Sequence, residues 1–150
     1  MSRPTIADIE AALIEALQDS TALDFVPDDQ IVSFGDKPDT VDFERAALGL
    51  PAILVVYSGS VSDSEEARRS AANIKQWALY VCAESLAGEA DARTAEQGAY
   101  AMLDGIFDTL QDNDLGLAGL SPFEHVRDER LEADETAIIY GTAFAAAAVL

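Results

Sequence analysis

Two stretches of the chain repeat apolar residues at helical spacing and predict two amphipathic helices. The first follows a Thr5-x-x-Asp8 capping box and ends at Asp19-Ser20-Thr21, and its apolar stripe consists of Ile6, Ile9, Leu13, Ala16 and Leu17. The second lies within Asp91–Asp112, with a stripe of Ala99, Met102, Leu103, Ile106 and Leu110. Gly98 and Gly105 weaken this helix intrinsically, and we expect them to allow close packing on a sheet.

Other apolar runs have the length and pattern of strands. Pro51–Tyr57 is β-branched and apolar on both faces, which predicts a strand buried on both sides. Ile74–Glu84 alternates, with Trp77, Leu79, Val81 and Ala83 on one face and Ala78, Tyr80 and Cys82 on the other. The closing run ETAIIYGTAFAAAAVL alternates between Thr136 and Phe144, and we expect a buried last strand.

Three segments are less regular. Ile31–Phe34 predicts a short extended piece, and Ser58–Asn73 is small and polar, typical of a long connection that makes contacts with a partner. The polar segment Phe123–Glu135 is compatible with an exposed edge strand or with a helix, because periodicity does not separate the two.

The order of these elements predicts a two-layer α+β domain. We expect a mostly antiparallel sheet of four strands, packed with an N-terminal helix and a central helix. A length of 150 residues fits one domain, so residues 1–150 are predicted to fold together.

The charge of the chain limits the kinds of partner that it can bind. The chain is 49% hydrophobic, as globular proteins are, but its 28 acids and 9 bases give a formal charge of −19. Such an excess of acids opposes binding to a phosphate backbone, which requires clustered Lys and Arg. It favours a basic partner or a surface that DNA passes without specific binding.

The apolar C-terminal run is too short for a membrane anchor. A spanning helix needs about 20 consecutive apolar residues, whereas Thr136–Leu150 is interrupted by Gly141 and Thr142 and has no basic flank. The N-terminus MSRPTIADIE lacks the apolar segment of a signal peptide. We therefore expect no membrane contact and assembly in the cytoplasm.

Candidate chemistry is sparse. His125 and Cys82 are the only residues of their kinds, so a zinc site is not supported, and Cys82 lies in an apolar run typical of a buried side chain. Asp112–Gly116 begins like a calcium loop but lacks its third ligand before the Gly and its closing Glu. We expect no catalytic residue, metal site or cofactor, and hence a protein that is not an enzyme.

The few bases are candidate interface residues. Arg68 and Arg69 lie in the long polar connection, and Arg127 and Arg130 precede the last strand. On an acidic protein they suit the carboxylates of a neighbouring copy. Intramolecular surface pairs, worth about 0–1 kcal/mol each, are the alternative.

Three blocks together resemble a known family. They are LPAILVVYSGS at 50–60, ARTAEQGAYAMLDGIFDTLQDNDLGLAGLSP at 92–122 and ERLEADETAIIYGTAFAAAA at 129–148. In this order they are similar to the small tail-terminator, or tail-completion, proteins of Mu-like tailed phages and prophages. The resemblance extends over most of the chain.

The resemblance implies a structural role in the virion. Such a protein is expected to form a hexameric ring at the head-proximal end of the tail, to stop growth of the tail tube, and to offer a surface to head-completion proteins while DNA passes through. Its implied partners are its own copies, the tube protein and the head-completion or connector proteins. Tyr140 and Phe144 in the last strand join the four arginines as candidate subunit or tube contacts.

Other functions stay open on sequence grounds. A head–tail connector of the stopper or adaptor type shares the ring and the composition. An acidic inhibitor that mimics DNA would use the −19 charge against a basic partner. A small hydrolase would require a pocket that holds His125 or coupled carboxylates.

Overall fold

The computed structural model describes residues 4–35, 49–61, 73–84, 93, 98–133 and 137–148. Two α-helices, two single 3₁₀ turns and five strands make up these residues. In chain order they are α1 (Ile6–Asp19), the 3₁₀ turns Thr21–Leu23 and Asp28–Gln30, β1 (Ile31–Ser33), β2 (Ala52–Val61), β3 (Asn73–Glu84), α2 (Ala99–Leu110), β4 (Glu124–Ala133) and β5 (Ala137–Ala148).

Helix α1 begins at the predicted capping box. The Asp8 backbone N–H donates to Thr5 Oγ1 over 3.1 Å, and the Thr5 N–H donates to Asp8 Oδ2 over 3.3 Å. These two bonds satisfy donors that the first turn of a helix leaves open. One face of α1 buries Ile9, Leu13 and Leu17 completely, as predicted, whereas Ala16 is half-buried and Ile6, in the first turn, is 38% exposed.

The sheet has five strands in the order β1-β2-β3-β5-β4, so the expectation of four strands is wrong. The additional strand is β1, whose residues Ile31–Ser33 pair in parallel with Ile53–Val55 of β2. The other three pairings are antiparallel, as predicted. Three residues are too few to show an alternation, so only the neighbouring strand reveals β1 as part of the sheet.

Strands β2 and β3 extend into the segment that was expected to be a long polar connection. Gly59, Ser60 and Val61 pair with Gln76, Lys75 and Ile74, after a bulge that follows Tyr57. Pairing within an antiparallel ladder satisfies this backbone although its side chains are small and polar. The rest of the connection, residues 62–72, lies outside the described residues.

The long β3–β5 pairing forms the centre of the sheet and separates two apolar clusters. Trp77 lies opposite Phe144, and Tyr80 lies opposite Gly141. On the face that α1 and α2 cover, here the helix face, the core includes Ile53, Val55, Trp77, Leu79, Val81, Ile138 and Phe144. The opposite face, here the far face, buries Ala52, Leu54, Val56, Tyr80, Cys82, Ala137 and Ile139. The predicted division of β3 between two faces is confirmed.

Helix α2 packs on the helix face and buries Ala99, Met102, Ile106 and Leu110, with Leu103 half-buried. Gly105 was expected to allow close packing of α2 on the sheet, but its close neighbour is a turn. A Cβ placed on it would lie 2.6 Å from Leu23 Cδ2 and 3.2 Å from the Ala22 carbonyl oxygen. The glycine therefore permits close approach to the Thr21–Leu23 turn, where Ser20 Oγ and Thr109 Oγ1 also lie 2.7 Å apart.

The polar segment after Pro122 is a strand and not a helix. β4 pairs with β5 at the edge of the sheet, and most of its side chains are exposed. Shifts in register at Val126 and Leu131 mark two bulges, which leave Arg127–Arg130 as the regular stretch between them.

The turn that resembles the start of a calcium loop is closed by its own side chains. Asn113 Oδ1 accepts from the Leu115 N–H over 2.8 Å, and Asp114 Oδ1 accepts from the Gly116 N–H over 2.9 Å. These Asx-type bonds stabilise the exit from α2.

Candidate interaction surface

A groove runs between helix α2 and the edge strand β4 on the helix face. It encloses about 390 Å³ and is lined by Tyr100, Leu103, Asp104, Asp128, Glu129, Arg130 and Tyr140. It is here called the α2–β4 groove. Tyr100, Leu103 and Phe107 lie next to the core stripe of α2, and the two aromatic residues are 42% and 43% exposed. Large exposed aromatic side chains of this kind are enriched at interfaces.

Tyr140 anchors the floor of the groove. Its ring meets that of Tyr100 edge-on, with centroids 5.8 Å apart and planes at 71°. Desolvation raises the pKa of Tyr140 above its usual 10.0, and its side-chain hydrogen bond with Tyr100 raises it further. A hydrogen bond with Arg93 and the charge of Arg130 act in the opposite direction. The hydroxyl therefore stays neutral at physiological pH and joins α2 to β5.

His125 also lies on the helix face, near the start of β4. Its ring packs 5.2 Å from that of Phe144 and 5.6 Å from that of Phe107, both at 69°. His125 Nε2 lies 2.9 Å from Asp128 Oδ1. The aromatic packing and the carboxylate contact fix this imidazole in place, so it supports the strand rather than facing an open cavity.

Acids outnumber bases in the α2–β4 groove. Asp104 and Asp128 line it together with Arg130, exposed Asp108 lies one helical turn from Asp104, and Arg93 hydrogen-bonds Tyr140 at the floor. An apolar aromatic floor with an acidic rim matches a side chain that has a long aliphatic stem and a positive end.

The predicted site residues occupy three different positions. Arg130 and Tyr140 line the α2–β4 groove, whereas Arg127 is exposed on the far face beside Glu129 and Gly141. Phe144 is fully buried in the core of the single chain. Arg68 and Arg69 lie outside the described residues, and an interface role for any of the six remains a prediction.

The single cysteine and the single histidine do not form a nucleophile–base pair. Cys82 is fully buried on the far face, whereas His125 lies on the helix face, so the sheet separates them. Among the described residues, no group of three or more His, Cys, Asp or Glu side chains could hold a metal ion. Within the same residues, no helix is long and apolar enough to cross a membrane.

Comparison with known families gives a match over nearly the whole chain. The sequence model of the family described as "Bacteriophage Mu, Gp37" matches residues 5–145. The chain belongs to this family. Membership confirms the resemblance to proteins of Mu-like phages. No curated protein matches the sequence.

A solved structure shares the fold of this Gp37-family chain. It is a chain in the "Virion of native gene transfer agent (GTA) particle", similar with a TM-score of 0.61 and 16% sequence identity over 95% of both chains. At that identity the similarity concerns the fold, which is therefore found in a component of that virion.

Sequence patterns indicated only part of the groove. Tyr100 and Asp104 were missed because they lie just outside the apolar stripe of α2. A helical projection places Tyr100 and Phe107 on one flank of that stripe. The sequence does not show that β4 lies beside this flank, so it does not predict a groove there.

Proposed function

We propose that this chain is a structural protein of a phage tail, and specifically a tail terminator. In this function it forms a ring, with six subunits expected, on the last ring of the tail tube and stops further addition of tube subunits. Its opposite surface then receives the head-completion proteins. In this proposal the protein acts in the virion, at the head-proximal end of the tail.

The observation that carries this proposal is the match to the Mu Gp37 family over residues 5–145. The shared fold with a chain of a gene transfer agent virion supports a structural role in such a particle. Neither comparison concerns catalysis, and the single cysteine and the single histidine lie on opposite faces of the sheet, so we propose a role without catalysis or a cofactor.

The charge of the chain suits a ring around DNA. A formal charge of −19 disfavours phosphate binding, so DNA would slide through a channel lined by such subunits. Arg127, exposed on the far face, is available to a carboxylate of a neighbouring subunit. Tail-tube and head-completion proteins would contact other surfaces of the ring.

Tail length tests the proposal directly. Deletion of the gene from its phage or prophage should give over-long tubes in electron micrographs, and expression of the chain in trans should restore the normal length. Tubes of normal length after the deletion would contradict a terminator function. An unrelated tail-fibre deletion, which should leave the tube length unchanged, is the matched control.

A pull-down separates a terminator from a stopper or adaptor. A terminator should capture assembled tube protein, whereas a connector should capture the portal-side protein. Native mass spectrometry at high concentration should detect six-subunit rings if the ring is stable alone. Absence of rings in solution together with failure to bind tube ends would contradict the proposal.

A further inference from the structure

The outer edge of β4 is an open strand edge in the described part of the chain. At its start the edge is occupied, because Phe123 bridges Gln111 and the His125 N–H donates to Gln111 Oε1 over 2.8 Å. From Val126 onward β4 pairs only with β5 there, and the residues Val126–Arg130 are exposed. An edge of this kind presents backbone N–H and C=O groups that can pair with another extended segment. The α2–β4 groove lies directly beside this edge, on the helix face.

A second copy of β4 is a poor occupant of this edge. In a regular antiparallel pairing, residues opposite each other lie on the same face of the sheet. When two copies of β4 pair around a two-fold axis centred in the regular stretch 127–130, the residue on the axis in one copy therefore lies opposite the same residue of the other copy. All four are charged, namely Arg127, Asp128, Glu129 and Arg130, so a like-charged pair always lies on the axis. Such pairs destabilise a sheet.

The groove favours a basic occupant instead. A strand added at the edge would place alternate side chains on the helix face, next to Asp128 and across from Asp104. The aromatic rings of Tyr100 and Tyr140 would contact the aliphatic stem of such a side chain, and the two carboxylates would pair with its positive end.

We propose that the β4 edge and the α2–β4 groove together dock an extended, basic segment of a partner protein as a sixth strand of the sheet. Main-chain pairing along β4 supplies the affinity, and the acidic, aromatic groove selects Arg or Lys at alternate positions. A structural protein of the virion must bind other virion proteins, so this inference rests on the proposed function for the existence of a partner.

Synthetic peptides as long as β4 test both parts of the proposal. The probe alternates arginine and threonine. One control replaces each arginine with glutamate, and another keeps the arginines but replaces threonines with proline, which cannot pair along a strand. Fluorescence anisotropy at low and at physiological salt measures affinity, and hydrogen exchange follows the β4 amides.

We expect the arginine–threonine peptide to bind, with an affinity that falls as salt rises, and to slow the exchange of the amides in 124–133. Both control peptides should bind at least roughly tenfold more weakly. Equal affinity of the proline peptide, or unchanged exchange in β4, would overturn strand addition.

Paired variants locate the site on the protein. Asp104→Asn with Asp128→Asn should weaken peptide binding by at least roughly tenfold. The matched control is Asp28→Asn with Asp29→Asn, two exposed aspartates in the turn before β1 at the opposite edge of the sheet. It removes the same charge and should leave the affinity within about twofold. Equal losses in both pairs would show a general charge effect and overturn the site.

Two further outcomes are decisive. Loss of self-association in the Asp104→Asn, Asp128→Asn variant with unchanged peptide affinity would identify a second copy as the occupant and contradict the proposal. If gene deletion gives over-long tails but the peptide does not bind, the terminator function is supported and the docking site is contradicted. If gene deletion gives tails of normal length but the peptide binds, the docking site is supported and the terminator function is contradicted.

Discussion

The ring of Tyr100 lies edge-on against the ring of Tyr140, with centroids 5.8 Å apart, and thereby joins helix α2 to the last strand. Tyr100 is exposed and Tyr140 is half-buried, so the pair is both part of the fold and part of the surface. Both residues line the α2–β4 groove, Tyr100 from its helical wall and Tyr140 from its floor.

Alkaline pH should expose the role of the Tyr140 hydroxyl. Desolvation raises its pKa above 10.0 in the folded chain, so the folded state retains the proton longer than the unfolded state. The free energy of unfolding therefore falls as pH rises through this range, and the contribution is fully present below pH 10. Tyr140→Phe should flatten this fall, measured by urea unfolding between neutral and alkaline pH. Parallel pH profiles of the two proteins would contradict the assignment.

Substitution of Gly105 should destabilise the protein although it favours the helix. Alanine gains up to about 1 kcal/mol of helix propensity, but its Cβ would lie 2.6 Å from Leu23 Cδ2 beside a backbone carbonyl. Overpacking of this kind costs about 1–3 kcal/mol. We expect a net loss of about 1 kcal/mol in the free energy of unfolding for Gly105→Ala. The single, fully buried Trp77 provides the fluorescence signal.

Leu23→Ala should relieve the clash that Gly105→Ala creates. A double-mutant cycle would then give a favourable coupling energy, because the shortened side chain leaves room for the new methyl group. Additive losses would indicate that the backbone of Ala22, rather than the Leu23 side chain, limits the approach.

A charge at position 144 should unfold the domain. Phe144 is fully buried and packs against Phe107 and His125, so Phe144→Asp places an unpaired carboxylate in the core. We expect a loss of several kcal/mol, roughly the whole stability of a small domain, and circular dichroism of an unfolded chain. Val126→Asp, at a 44% exposed bulge in β4, is the control and should remain folded.

The exposed arginines should affect assembly and not folding. Arg127→Glu should change the free energy of unfolding by no more than about 1 kcal/mol, as surface charges do. Under the proposed function it should weaken ring formation or tube binding, measured by native mass spectrometry and by tail length. Unchanged assembly would remove Arg127 from the interface.

The same experiment applies to the arginines of the polar connection. Arg68→Glu combined with Arg69→Glu should leave the fold intact and weaken assembly. Normal rings and normal tail length would exclude this segment from the contacts. Arg130→Glu differs from both because it replaces a base that lines the α2–β4 groove with an acid, and we expect tighter binding of a basic peptide there.

Sequence alone determined the elements whose pattern depends on one segment. The Thr5–Asp8 capping box, the buried centre of the α1 stripe, the α2 stripe and the two faces of β3 follow from local spacing, and the structure contains them. Local spacing works here because each side chain's face is set by the period of its own helix or strand.

Tertiary structure decided what depends on a neighbour. β1 counts as a strand because Ile53–Val55 lies beside it, and the polar end of β2 is a strand because β3 continues along it. Gly105 faces the Thr21–Leu23 turn and not the sheet, and the α2–β4 groove exists only because the chain brings residues 100–104 against residues 128–130 and Tyr140. Backbone pairing and close packing join residues far apart in sequence, and no single segment carries that information.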